Sequence, residues 1–219
     1  MGAVNNILQA IGQAGVAGLT SVGAGGAATR GPGGPVDAIG NLRDGNAPLP
    51  PPRVTVNGEG MTEIVPSATP LARQTALNTA DAGGSGKLRP AEAAVAAQVE
   101  PVMGTLQRYE GPPTNGTKSP DFVVASGANA GKTVDMMYTT GGNRPAEIAG
   151  LNKFFEQNMT VPESPGNPPA GVRQIQEHFN KAETVVMDFR TLTPQNQQIL
   201  TNYINTLSPV QQGRLVIIK

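Results

Sequence analysis

The stretches Asp121-Phe-Val-Val-Ala-Ser126 and Lys132-Thr-Val-Asp-Met-Met-Tyr-Thr139, joined by the turn Gly127–Gly131, decide how this chain is read. Each is short, mostly apolar and rich in valine, as strands are, and the glycine-bounded segment between them closes a hairpin. Thr105–Tyr109 alternates in the manner of a further strand. Ahead of it, Leu88, Val95, Val99 and Val102 recur at helical spacing over residues 89–103, with Pro90 suited to the first turn and Gly104 ending the helix. Beyond the hairpin, Pro145–Asn158 presents Ile148, Leu151 and Phe155 on one helical side, and Val172–Ala182 presents Ile175 and Phe179. Thr184–Phe189 and Leu215–Ile218 are largely apolar runs, expected of strands covered on both faces. Between them Thr193-Pro194 opens a helix carrying Ile199, Tyr203 and Leu207, with threonine as the cap and proline at the first position. The order α-β-β-β-α-α-β-α-β predicts an α/β fold, a mixed β-sheet flanked by helices.

Composition separates this patterned part from what precedes it. Residues 1–87 hold 17 of the 28 glycines and 8 of the 20 prolines, whereas every phenylalanine and tyrosine lies after Leu88. Gly31-Pro-Gly-Gly-Pro35, the run Pro48–Pro52 and Ala82-Gly-Gly-Ser-Gly86 are linker chemistry. The expectation is therefore a largely disordered Gly/Pro-rich linker over 1–86 and one domain over 87–219. Val54–Val56 and Glu63–Val65 are candidates for short strands within the linker, and Asn5–Gln13 for a short amphipathic helix.

Charge and residue usage narrow the chemistry. Sixteen basic residues balance sixteen acidic ones, so no basic stripe announces a nucleic-acid surface. The chain has no cysteine and a single histidine, His178, which excludes disulfides, thiolate metal sites and multi-histidine centres. Val4–Val22 is interrupted by Asn5, Asn6, Gln9 and Gln13 and has no basic region before it, so neither a secretory signal nor a membrane span is expected there.

Three carboxylates fall where the pattern expects apolar residues. Glu92 lies inside the stripe of the first helix, Asp121 opens a strand, and Asp135 sits mid-strand between Val134 and Met136. In a hairpin the faces carrying Asp121 and Asp135 can coincide, which would bring both beneath the helix that carries Glu92. Converging carboxylates repel unless a divalent cation or a shared proton compensates them. Mg²⁺ with hard oxygen ligands is the natural solution, and it would serve phosphodiester hydrolysis. Each acid also has a plainer reading: Asp121 as a turn residue after Pro120, Asp135 paired with Arg108, and Glu92 at the edge of its stripe.

The blocks Lys87-Leu-Arg-Pro-Ala-Glu-Ala-Ala, Gly104-Thr-Leu-Gln-Arg-Tyr-Glu, Pro120-Asp-Phe-Val-Val and Gly131-Lys-Thr-Val-Asp-Met-Met-Tyr resemble the C-terminal toxin domains of large filamentous-haemagglutinin-like exoproteins that act in contact-dependent growth inhibition. His178-Phe-Asn-Lys-Ala and the later Val-Val-Met-Asp-Phe-Arg190 resemble the same group. The resemblance covers residues 87–219. It implies a toxin carried at the tip of a secreted surface protein, acting in the target-cell cytoplasm, cutting tRNA or another RNA in preference to DNA, and neutralised by a cognate immunity protein. It also implies a restriction-endonuclease-like core, in which a helical glutamate, a proline–aspartate at a strand start and a second acid two residues before a lysine surround a metal. Glu92, Asp121 and Asp135 match the acids and are the expected catalytic and metal-binding residues. Met137 stands where the lysine is expected, Lys132 points to the other strand face, and Lys153 is the candidate substitute, although helical spacing turns it towards solvent.

Two alternatives use the same residues differently. A metal-independent ribonuclease would employ His178 as acid or base, assisted by Lys181, Arg190, Thr133 or Tyr138. A non-enzymatic adhesin or binding module would make the carboxylates structural.

Overall fold

The computed structural model describes residues 51–68, 70–80, 86–114, 116, 118–140, 144–162 and 164–219. The helix expected over Asn5–Gln13 and most of the expected boundary at residues 82–86 lie outside them.

Seven strands form one mixed sheet: β1 (Arg53–Val56), β2 (Thr62–Val65), β3 (Leu106–Arg108), β4 (Phe122–Val124), β5 (Thr133–Met137), β6 (Thr184–Asp188) and β7 (Leu215–Ile218). Their spatial order is β1-β2-β7-β6-β5-β4-β3. β3, β4 and β5 form an antiparallel meander, β5, β6 and β7 run parallel, and β2 joins β7 in parallel. The helices are α1 (Leu71–Leu77), α2 (Pro90–Met103), α3 (Pro145–Asn158), α4 (Ala170–Lys181), α5 (Pro194–Ile204) and α6 (Pro209–Gln212). The helices after β5 fall in its crossovers to β6 and β7, which the right-handed rule for parallel connections places together on one face.

The expected order is present from α2 to β7, with α6 as a short addition. Local chemistry explains several boundaries. Pro90, Pro145 and Pro194 open their helices, and Thr193 caps α5 by accepting a hydrogen bond from the Asn196 amide. Gly104 ends α2 at φ 103°, and a side-chain carbon there would stand 2.1 Å from the Ser126 carbonyl oxygen, so only glycine fits.

Both faces of the central strands are buried, and their residues alternate between two apolar layers. Val134, Met136, Val186, Val216 and Ile218 pack with Ala93, Val95, Val99 and Met103 of α2. Met137, Val185, Met187, Leu215 and Ile217 pack with Leu151, Phe155, Ile175, Phe179 and Leu200 of α3, α4 and α5. Among the described residues no helix is long and apolar enough to cross a membrane.

The linker expectation needs correction over residues 53–80. β2 pairs Thr62 with Val216, Glu63 with Ile217 and Ile64 with Ile218, and the Lys219 amide donates to the Ile64 carbonyl at 2.9 Å. Ile64 and Leu77 are buried in the layer under α2, and Ala80 bridges to Leu88 across the expected boundary. Arg73 of α1 donates from Nε (2.8 Å) and Nη2 (2.5 Å) to the Glu100 carboxylate. The candidate strands Val54–Val56 and Glu63–Val65 are found as β1 and β2; what local pattern could not supply is the partner of β2, which lies about 150 residues downstream. Truncation of Ile64 to alanine is expected to lower stability by about 2–5 kcal/mol in urea unfolding. A change below about 0.5 kcal/mol, the size usual for an exposed site, would show that this segment does not pack.

Candidate active site

The hairpin register places Phe122 opposite Val134 and Val123 opposite Thr133, which sets Asp121 across from Asp135 on the same sheet face. The Asp121 carboxylate accepts the Met136 amide at 2.7 Å, and each of the two aspartates feels the other's carboxyl. The expected convergence of these two acids therefore occurs. The covering helix differs from expectation. α2 packs on the opposite face with Val134 and Met136, and the element over the aspartates is α4. The parity of the strand decides this, since Asp135 alternates with Met136 and shares the face of Met137.

α4 brings two cation-forming side chains to Asp135. Lys181 Nζ stands 2.8 Å from Oδ1, and His178 Nδ1 meets Oδ2. The residues are three apart in the last turn of the helix, so they project from one side. Arg108 does not pair with Asp135. Its Nη1 donates to Glu92 Oε2 at 3.2 Å, and Arg89 lies 4.0 Å from the other oxygen. Glu92 is thus held by arginines of β3 and of its own helix start.

The protonation equilibria record how little water reaches this cluster. Burial, and then the charge of Asp135, push the Asp121 carboxyl up to about 7, against the pull of Lys181. Burial raises Asp135 as well, with Lys181 opposing. Burial and the charge of Asp121 push Glu92 up to about 8, while Arg108 and Arg89 hold it back. For Lys181 burial acts downward, but Asp121 and Asp135 outweigh it and keep the ammonium charged. Burial, reinforced by Lys181, takes His178 down to about 3, so the imidazole is neutral with its Nδ1 against Asp135.

Lys153 is exposed on α3 and makes none of these contacts. Met137 is buried in the apolar layer, and Lys132 is exposed with its ammonium on the Asn129 side chain. The lysine beside the acidic pair is Lys181. It lies 46 residues after Asp135 in the chain, so spacing within β5 could not find it. The available signal was a lysine one helical turn after the single histidine, in a helix whose Ile175 and Phe179 face the sheet.

A divalent cation is compatible with the donor chemistry of Asp121 and Asp135. Mg²⁺ is commonly held by one or two carboxylates, with water and substrate phosphate completing the shell. Burial is the main cause that raises both acids, and Lys181 opposes it. Among the described residues no group of three or more His, Cys, Asp or Glu is arranged to hold a metal without such additional ligands.

Comparison with known proteins places this arrangement in context. The family model described as CdiA C-terminal tRNase domain matches residues 90–218. A curated relative, tRNA nuclease CdiA of Burkholderia pseudomallei, is 36% identical over 135 residues, which are 61% of this chain and 9% of that protein. A solved structure, the CdiA-CT toxin of Burkholderia pseudomallei E479 in complex with its cognate CdiI immunity protein, is 33% identical, with a TM-score of 0.49, over 60% of this chain and 100% of that one. The family match alone spans more than half of the sequence, and the chain belongs to the CdiA C-terminal tRNase domain family.

Proposed function

We propose that this chain is the nuclease toxin domain of a contact-dependent growth inhibition exoprotein and that it cleaves a tRNA phosphodiester. The observation that carries the reading is the buried Asp121–Asp135 pair with Lys181 on Oδ1 of Asp135. In the reaction an oxygen nucleophile attacks phosphorus, the bond to the departing ribose oxygen breaks, and that oxygen takes up a proton. Lys181 holds Asp135 in place and sets positive charge beside the phosphoryl oxygens. The backbone amide of Met136 fixes Asp121, and Arg108 holds Glu92. A divalent cation, Mg²⁺ by preference, would be held by Asp121 and Asp135 and would supply an acidified water and neutralisation of developing charge. The helix, three strands, helical crossover and parallel strand of α2 to β6 support a restriction-endonuclease-like core.

A second reading has its own observation. The contact of His178 Nδ1 with Asp135 leaves a neutral imidazole with its other nitrogen free of Asp135, the arrangement of a group oriented for proton transfer without a metal. Membership in a tRNase family weighs against the adhesin alternative. Delivery at the tip of a surface exoprotein, action in the target-cell cytoplasm and neutralisation by a cognate immunity protein complete the proposal. They follow from the family, and the partner's contact face should be acidic where it covers the site.

Incubation of the chain with total tRNA tests the chemistry. Asp135→Asn and Lys181→Met should each slow cleavage by about 100-fold or more, and Lys153→Ala should leave it unchanged. Loss of cleavage in EDTA supports the metal reading, whereas cleavage that survives EDTA but not His178→Ala supports the second. No cleavage of any RNA overturns both.

The same site makes a prediction about stability. An acid whose folded pKa is raised gives a contribution that is full below its unfolded value, near 4, and is lost as pH rises through the folded one. For Asp121 that window runs from about 4 to about 7. Asp121→Asn, which mimics the protonated acid, should melt above the parent at pH 8 while losing activity. The gap should narrow as pH falls to 5, and a variant that melts below the parent at pH 8 contradicts this account.

A further inference from the structure

The end of α4 that carries His178 and Lys181 has no glycine to close it. Ala182, which follows the last helical residue, is extended, with φ −138° and ψ 149°. The final carbonyls of such a helix lack the amides that a left-handed glycine turn would bring to them, so they need other donors. Here the donors come from distant parts of the chain. Arg214 Nη2 donates to the Phe179 carbonyl at 2.5 Å and to the Ala182 carbonyl at 2.6 Å. Arg214 Nε donates to the Glu183 carbonyl at 3.0 Å, and Thr114 Oγ1 donates to the Lys181 carbonyl at 2.5 Å.

Arg214 is itself fixed at both ends. Its backbone carbonyl accepts the Val185 amide at 2.9 Å, directly before Leu215 pairs with Val185 in the parallel β6–β7 ladder. Its guanidinium carbon stands 5.1 Å from the centre of the buried Phe179 ring. A cation at these carbonyls also meets the negative end of the helix dipole. One side chain thus ties the start of β7, the residue before β6 and the last turn of α4 together. That turn holds both side chains that reach Asp135, with Lys181 Nζ 2.8 Å from Oδ1 and His178 Nδ1 against Oδ2. Among the described residues the hydrogen bonds of the Arg214 side chain all go to backbone carbonyls, so its influence on the acidic pair passes through α4.

We propose that Arg214 is a positioning residue of the nuclease site, a clamp on the end of α4 that sets Lys181 and His178 against Asp135. The inference rests on the nuclease reading and adds to it the residue that keeps the site's cation in place. Helix ends are where fraying begins, and a displacement of about 1 Å at a reacting group can cost about 100-fold in rate. Arginine suits the task because its planar fork spans several carbonyls that a single ammonium cannot reach together.

The test uses the full 219-residue chain with tRNA, and the single histidine supplies a second readout, because every imidazole ¹⁵N resonance belongs to His178. Arg214→Met keeps an apolar stem beside Phe179 and removes the donors. It should lower kcat about tenfold or more with KM within about twofold, and it should shift and broaden the His178 ring resonances at constant pH. Arg214→Lys keeps the charge without the fork and should show the same changes to a smaller degree. Ile64→Ala loosens the opposite apolar layer and controls for lost stability. It should melt lower while kcat and the His178 resonances stay at parent values. If Arg214→Met fails to fold, the comparison of Arg214→Lys with Ile64→Ala carries the test. Parent values of kcat and of the His178 resonances in Arg214→Met overturn the proposal. So does an Arg214→Lys chain indistinguishable from the parent, since charge alone would then suffice, and so does an Ile64→Ala chain that reproduces the arginine variants. A parent chain that cuts no RNA overturns the nuclease reading, and the His178 resonances then decide the clamp alone.

Discussion

Two carboxylates side by side in a β-ladder, sealed from water, set the terms for the rest of this structure. Asp121 and Asp135 repel one another, and burial makes each harder to ionise. What makes the pair tolerable comes from elsewhere in the fold. The Met136 amide holds one oxygen of Asp121, and α4 brings Lys181 and His178 onto Asp135. The amphipathic docking of α4, through Ile175 and Phe179, is therefore also the placement of the site's cation. Removing a partner from such a cluster leaves a buried charge uncompensated, which is far more disruptive than losing a surface ion pair.

The sheet is built to hold that cluster still. β5 is paired on both sides, antiparallel to β4 and parallel to β6, and both of its faces are covered. Antiparallel pairing through the short turn after Ala125 brings the two aspartates opposite each other. Parallel pairing requires the crossover, and the crossover contains α4. The pair and its lysine thus arise from two different kinds of strand connection meeting at one strand. Glu92 belongs to the helix layer on the far side, held there by Arg108 and Arg89, and feels the cluster through the charge of Asp121.

The segment before Leu88 changes the molecule in two ways. β2 covers the edge of β7 that would otherwise be open, and the β1–β2 hairpin becomes the end of the sheet. α1 packs beside α2 and ties Arg73 to Glu100 and to the Leu106 carbonyl. It thereby walls a cleft along β3, although it lies outside the stretch shared with the family.

Local pattern was enough to determine the elements from α2 to β7 and the convergence of Asp121 with Asp135. Period-two and helical repeats are written in neighbouring residues, and a hairpin's register follows from its turn. Arg108, which the sequence offered only as a plainer partner for Asp135, meets Glu92 instead. A lysine was expected at 137 or, in its place, at 153, and the one beside the pair is Lys181; residues 53–80, expected as linker with two candidate short strands, join the sheet and add a helix. These outcomes share a cause. A cation's partner, a helix's choice of sheet face and the pairing of a four-residue strand depend on contacts between residues far apart in the chain, and only the tertiary structure decides which of them meet.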